Sequence, residues 1–249
     1  MSEKPPQFER PPVPVFGRAS KENKEKAAQE IEQRFRDGEI TELPETLLKE
    51  IQALEYPKET YEYDFITSAD SIINGLRERY GLEPFNVPDK NIHIVPPEIY
   101  KKTTLRPLKA HHNFRQQLVM ADAQSLRESR SAEAKTILHE LLHLKGFLSI
   151  DIRENPSQNN ESEINKSYRR IGLMVGEGYK ESDKGMYHDN FWGLNEAVVS
   201  ELEQRYGREV AKSSPDPTVK AELDWLDSEE AQKLIKEQII KLKLKLTPE

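Results

Sequence analysis

Two histidines and a glutamate lie within five residues of one another, as His139, Glu140 and His143. On a helix, this four-residue spacing puts both imidazoles on one face, from which they can bind the same metal ion. A glutamate that directly follows the first histidine is placed to take a proton from a water at that metal. The pattern therefore predicts a zinc site with hydrolytic chemistry, in which His139 and His143 are ligands and Glu140 is the general base.

The residues around this motif are typical of a helix. Good helix formers and apolar residues recur from Ala132 to Leu144 at helical spacing. Ser131 is predicted to cap the first turn, and Lys145 with Gly146 is predicted to end the helix. The local sequence thus supplies the helical setting that two ligands at this spacing require.

A third zinc ligand must come from elsewhere, because catalytic zinc usually has three protein ligands and a fourth position for water. The chain has no cysteine, which leaves histidine and carboxylates as the strong ligands. Ser149 stands where the metzincin pattern has its third histidine, so that family is disfavoured. A second helix is predicted over residues 193–202. Glu196, near its start, is either the third ligand or a solvated acid in the first helical turn.

The two helices together resemble those of the thermolysin-like gluzincins. In that family of zinc metallopeptidases the third ligand is the glutamate of an Asn-Glu-Ala element, which matches Asn195-Glu196-Ala197 in this chain. The resemblance is confined to about residues 90–206. It implies a zinc metallopeptidase that binds one Zn²⁺ per chain and cleaves a peptide or protein substrate.

One position departs from the gluzincin pattern. Thermolysin-like enzymes carry an aspartate four residues after the ligand glutamate, where it orients a zinc-binding histidine. This chain has Ser200 at that position. Glu201 or Glu203 would have to supply the missing carboxylate.

The stabiliser of the developing oxyanion is not identified by the pattern. His188 is a rival zinc ligand or a donor to the transition state, and Tyr187 beside it is a second candidate for a catalytic role. Tyr206 and Arg205 are further candidates for the donor. The sequence does not choose among these four side chains.

The periodicity of the whole chain predicts an α+β fold. A small mixed or antiparallel sheet is expected to pack on the motif helix and on the second ligand-bearing helix, with helical additions at both ends. The expected divisions are a disordered arm at 1–19, a helical region at 20–85, a metallopeptidase-like catalytic domain at 86–210, and a linker with a C-terminal helix and tail at 211–249.

Two stretches of alternating residues predict strands, at 92–95 and 112–121. In gluzincins an edge strand binds the substrate through backbone hydrogen bonds, and by that resemblance residues 114–120 are the candidate edge. His111 and His112 are weak candidates for a shared metal, because adjacent side chains on a strand point to opposite faces.

The alternating lysines and leucines of residues 241–246 form a separate feature. This cationic, amphipathic pattern fits contact with an anionic membrane, pairing as an edge strand, or a cover over the active cleft. We expect it to pack against the N-terminal helices instead.

The composition limits the partners of the chain. A net charge of −7 argues against binding along the phosphate backbone of nucleic acids. No signal peptide or membrane-spanning run is predicted, so we expect a cytoplasmic protein. Two other functions stay open. One is a metal-containing regulatory or partner-binding protein with a protease-like domain, and the other is a non-metal helical interaction protein whose motif occurs by chance.

Overall fold

The structure is a computed structural model that describes most of the chain. The described residues are 9–40, 43–104, 108–155, 163–172, 174–176, 189–190 and 192–246. Only the backbone is described at residues 153–155, 163–171, 174–176, 189–190, 192 and 238–246. Helices pack with two sheets, a combination that confirms the predicted α+β class.

The N-terminal region is mainly helical, as predicted for residues 20–85. Its elements are β1 (Val15–Phe16), α1 (Lys21–Asp37), α2 (Glu45–Leu54) and α3 (Thr60–Arg79). The Ser20 side chain caps α1 by accepting a hydrogen bond from the backbone N–H of Asn23. The helix ends at Gly38, whose φ of 62° is a left-handed conformation that favours glycine.

A mixed sheet follows α3 in the described part of the chain. Its strands are β2 (Ile92–Val95), β3 (Ala110–Asn113) and β4 (Leu118–Asp122). The spatial order is β2-β4-β3, in which β2 is parallel and β3 antiparallel to β4. The strand predicted at residues 92–95 is confirmed.

The single strand predicted over residues 112–121 is wrong, because the chain reverses between β3 and β4. The Asn113 side chain accepts a hydrogen bond from the N–H of Gln116, and Gln117 is in the left-handed region at φ 58°. β4 is therefore the central strand of this sheet. The edge position predicted for residues 114–120 belongs to β3 instead.

The remaining elements complete a second sheet and the C-terminal helices. The helices beside and after the first sheet are α4 (Pro97–Thr103), α5 (Ala123–Leu126) and α6 (Arg130–Leu144). The later strands are β5 (Leu148–Asn155), β6 (Glu163–Ile171), β7 (Met174–Gly176) and β8 (Asp189–Asn190). The last helices are α7 (Trp192–Lys212), α8 (Pro217–Asp227) and α9 (Glu229–Leu246). The helix predicted over residues 193–202 is thus longer, and the linker predicted from residue 211 is shorter.

The N-terminal segment is part of the second sheet, which corrects the disordered arm predicted for residues 1–19. β1 pairs in parallel with β5, and the described strands are ordered β1-β5-β6-β7-β8. Val13 is buried with Ile150 and Ile152, and the N–H of Ala19 donates to the Ile152 carbonyl. Burial of these apolar side chains holds the segment, whereas residues 1–8 lie outside the described part.

The motif helix α6 lies in the main hydrophobic core. It contacts α3, α7, β3 and β4, and its residues Ile137, Leu138 and Leu141 are buried among theirs. Burial of one such side chain stabilises a fold by about 1.5–3 kcal/mol, so α6 is held firmly against its neighbours.

The start of α6 differs from the prediction by two residues. Its N-cap is Ser129, whose hydroxyl accepts a hydrogen bond from the Ala132 N–H, rather than Ser131. The N–H of Ser131 instead donates to the Glu222 carboxylate on α8, 2.8 Å away. A side chain from another helix therefore shares the capping of α6, which local sequence could not reveal.

The tail at residues 241–246 continues α9, so its pairing as an edge strand is excluded. α9 packs on α8 through the fully buried Ala231. Residues 232–237 that follow are all exposed. The side chains of residues 241–246 lie outside the described part, so their predicted packing against the N-terminal helices stays a prediction. Within the described part of the chain, no helix is both long and apolar enough to cross a membrane.

Candidate metal centre

The packing of α6 on α7 brings together the three predicted metal ligands. Nε2 of His139 lies 3.2 Å from Nε2 of His143. The Glu196 carboxylate reaches both rings, at 3.2 Å from Nε2 of His143 and 3.6 Å from Nε2 of His139. Among the described residues these three side chains form a group that could hold a metal ion.

The spacing of the donor atoms fits a small cation. Zinc binds nitrogen and oxygen at about 2.0–2.2 Å in a tetrahedral arrangement, which separates neighbouring donors by about 3.3 Å. The three donor–donor distances of 3.2, 3.2 and 3.6 Å lie close to that value. The spacing of the three donors is therefore compatible with one zinc-sized ion.

Glu203 fixes the orientation of the first histidine. Its carboxylate lies 2.9 Å from Nδ1 of His139. A carboxylate only accepts, so the proton is on Nδ1 and the lone pair of Nε2 points toward Glu196. Burial lowers the pKa of His139, but the hydrogen bond that it donates to Glu203 and the charges of Glu140, Glu203 and Glu196 outweigh the effect of burial and raise that pKa.

Glu203 is thus the residue that contacts His139, of the two that the sequence offered. Glu201 instead forms an exposed ion pair with Arg205. The helical period explains the difference: Glu203 follows Glu196 by seven residues, or two turns, and so shares its face of α7. Arg205 follows Glu196 by nine residues and lies on the opposite face.

The second histidine is held by Asn195. The Asn195 amide lies 3.3 Å from Nδ1 of His143. A half-turn of this amide lets its oxygen accept from Nδ1–H, and that orientation leaves Nε2 free to bind a metal. Burial and the nearby charge of His139 lower the pKa of His143 to about 4, which favours the neutral ring that a metal needs.

A glycine makes room for this asparagine. Gly172 has a φ of 57°, and a Cβ at this position would collide with the end of the Asn195 side-chain amide. Gly172 was not among the predicted site residues. No local pattern marks it, because the contact joins the β6–β7 turn to the first turn of α7.

Glu140 lies beside the ligands and against the edge of the first sheet. It is 8% exposed, and its carboxylate lies near the backbone N–H of His112 in β3. Burial raises the pKa of Glu140 to about 7, although the charge of His139 and the backbone N–H of His112 oppose the increase. The carboxylate is therefore poised between α6 and the open edge of β3.

The adjacent histidines of β3 point to opposite faces, as predicted. The His112 ring stacks on His143, with centroids 5.5 Å apart and an angle of 11° between the rings. His111 contacts Tyr100 instead, with Nδ1 3.1 Å from the hydroxyl. Neither belongs to the metal-binding group, and the stacking of His112 was missed because it joins distant parts of the chain.

Of the other candidate residues, Arg205 and Tyr206 are described and do not belong to the metal-binding group. Tyr187 and His188 lie outside the described residues. Tyr206 packs against the main hydrophobic core. The oxyanion donor is therefore still unassigned.

Comparison with known proteins adds no relative. No protein-family model matches the chain, and searches of curated proteins and of solved structures found no significant match. The function is therefore inferred from the geometry of the site.

The contact between Glu203 and His139 predicts a loss of metal affinity on substitution. Glu203→Ala is expected to weaken zinc binding by about 10- to 100-fold, because His139 loses the acceptor that sets its proton and orientation. Glu203→Gln should lower zinc affinity less, because its amide oxygen can still accept the hydrogen bond from Nδ1–H of His139. Affinity is measured by competition with a chromophoric chelator.

Glu201→Ala is the matched control, because Glu201 is on the same helix and pairs with Arg205 away from the centre. It is expected to bind zinc like the unchanged protein. Equal weakening in both alanine variants would show that the contact with His139 has no special role.

Proposed function

We propose that this protein is a zinc-dependent metallopeptidase. The observation that carries the proposal is the convergence of His139, His143 and Glu196 on one point, with Glu140 next to them. Two imidazoles and a carboxylate are a ligand set typical of catalytic zinc, and they leave a position for water.

The chain's own residues would divide the chemistry between them. When bound, zinc would make a water more acidic and polarise the carbonyl of a substrate. His139, His143 and Glu196 would hold the metal, and Glu203 and Asn195 would fix the two rings. Glu140 is not in the ligand set; its carboxylate would take a proton from water and pass it to the leaving amine.

The edge strand β3 favours a peptide as the substrate. The N–H of Asp122 donates to the Lys109 carbonyl, which makes this a hydrogen-bonded pair of the antiparallel ladder. By alternation, the backbone groups of Ala110 and His112 point away from β4, toward the side where Glu140 lies. An extended peptide can pair with such an edge in many sequences.

Hydrolysis of a mixture of extended peptides tests this proposal. Zinc-loaded protein is expected to cleave them, a chelator should stop cleavage, and added zinc should restore it. Cleavage is followed by mass spectrometry of the products. Cleavage that persists after complete removal of metal would contradict the proposed chemistry, and so would an inert zinc-loaded protein.

A further inference from the structure

The C-terminal helix α9 leaves the body of the protein with an apolar side uncovered. Ala231 is fully buried against α8, but from residue 232 to 237 every residue is exposed. These include Leu234 and Ile235, which are 46% and 39% exposed. An isolated helix of this length is only marginally stable in water, so a surface that covers the apolar side would stabilise it.

Four of the apolar residues of α9 form one stripe along the helix. Ile235, Ile239, Leu242 and Leu246 follow one another at intervals of four, three and four residues. This spacing keeps the four positions on the face that begins at Ala231.

Lysines flank the stripe on both sides. With about 100° of rotation per residue, Lys236 and Lys243 fall on one side of the stripe, and Lys241 and Lys245 fall on the other. The acidic residues of α9 all lie at or before Glu237, so positive charge is concentrated in the last turns. Lysines beside an apolar stripe can extend to lipid headgroups while their methylene groups stay in the apolar layer.

These charges favour a lipid surface over a second copy of the chain. If two antiparallel α9 helices paired through their stripes, like flanks would meet, and Lys236 of one would lie opposite Lys243 of the other. In a parallel pair, opposite flanks would meet, and Lys236 would lie opposite Lys241. Like charges would then face each other in parallel and antiparallel pairs alike. An anionic surface has the complementary charge, and each lysine near such a surface contributes to binding.

We propose that α9 docks flat on an anionic membrane surface through the stripe from Ile235 to Leu246. The contact is peripheral, and it would hold the metal centre close to the membrane. It does not depend on the proposed peptidase activity.

Flotation of the full-length protein with lipid vesicles tests the proposal. The protein is expected to float with vesicles that contain phosphatidylserine and to remain behind with vesicles of phosphatidylcholine alone. Raised salt should weaken binding, because dissolved ions screen the attraction between lysines and anionic headgroups.

Matched variants distinguish binding through the stripe from nonspecific hydrophobic binding by the whole helix. Ile235→Asn with Leu242→Asn should lower binding at least about tenfold, because two apolar side chains no longer enter the lipid layer. Ile240→Asn with Leu244→Asn makes the same chemical change outside the stripe and should have a much smaller effect. Circular dichroism and thermal unfolding check that both variants stay folded.

Three results would overturn the proposal. They are failure of the unchanged protein to float with anionic vesicles, equal loss in the two double variants, and a lipid-free dimer that the stripe variant alone abolishes. The last result, seen by analytical ultracentrifugation, would assign the stripe to a second copy of the chain.

Discussion

A Glu140→Gln variant is expected to keep its zinc and lose peptide hydrolysis by about 10²- to 10⁴-fold. Glutamine has nearly the same shape, and its amide oxygen can still interact with the nearby backbone N–H of His112. Only the ability to take and return a proton is lost. Zinc content is measured by elemental analysis and hydrolysis by the release of new amino groups.

Glu133→Gln is the matched control for this result. Glu133 is also a buried glutamate of α6, but it lies beside Glu62, away from the metal-binding group. Burial and its interactions with Glu62 raise the pKa of Glu133 to about 9, so its carboxyl is already protonated near neutral pH and glutamine imitates it. Hydrolysis should be unchanged. If Glu140→Gln cleaves as fast as this control, Glu140 is not the general base.

Removal of a zinc ligand is expected to lower zinc affinity more than removal of a residue that only orients a ligand. His143→Ala and Glu196→Ala should each weaken zinc binding by more than about 100-fold and abolish hydrolysis together with the metal. The reason is that two remaining donors cannot hold the metal with the geometry that three provide. Isothermal titration with zinc measures the loss.

His111→Ala provides the comparison for the histidine variant. His111 contacts Tyr100 on the far face of β3 and is not in the metal-binding group. Its loss should leave zinc affinity within about threefold of the unchanged value, far less than the change from loss of a ligand. If His143→Ala binds zinc as tightly as His111→Ala does, His143 is not a zinc ligand.

The sequence predicted the parts of the site that depend on helical periodicity. The spacing of His139 and His143 required only a helix, and α6 provides it. The same period placed Glu203 on the face of Glu196 once α7 was known to extend past residue 202. The choice between Glu201 and Glu203 could not be made earlier, because the predicted helix ended too soon.

Contacts between distant segments could not be predicted in this way. The contact of His112 with Glu140 and the contact of Gly172 with Asn195 each join separate elements. The reversal at Gln117 was missed for a local reason: a glutamine with positive φ carries none of the glycine or proline signals that mark turns. β3 was therefore not separated from β4.

The two ends of the chain depart from their sequence patterns for different reasons. The segment around β1 has the composition of a polar tail. It is nevertheless held by pairing with β5 and by burial of Val13 with Ile150 and Ile152. Residues 241–246 alternate like a strand, but lysine and leucine are both good helix formers and continue the helix before them. Alternation over six residues is thus weaker evidence than the helix that precedes it.

X-ray diffraction recorded on both sides of the zinc absorption edge shows directly whether His139, His143 and Glu196 bind one zinc ion. We expect one anomalous peak per chain, at about 2.0–2.2 Å from Nε2 of His139, Nε2 of His143 and a carboxylate oxygen of Glu196. A crystal grown with zinc that shows no peak there, or a peak bound by other side chains, would contradict this expectation.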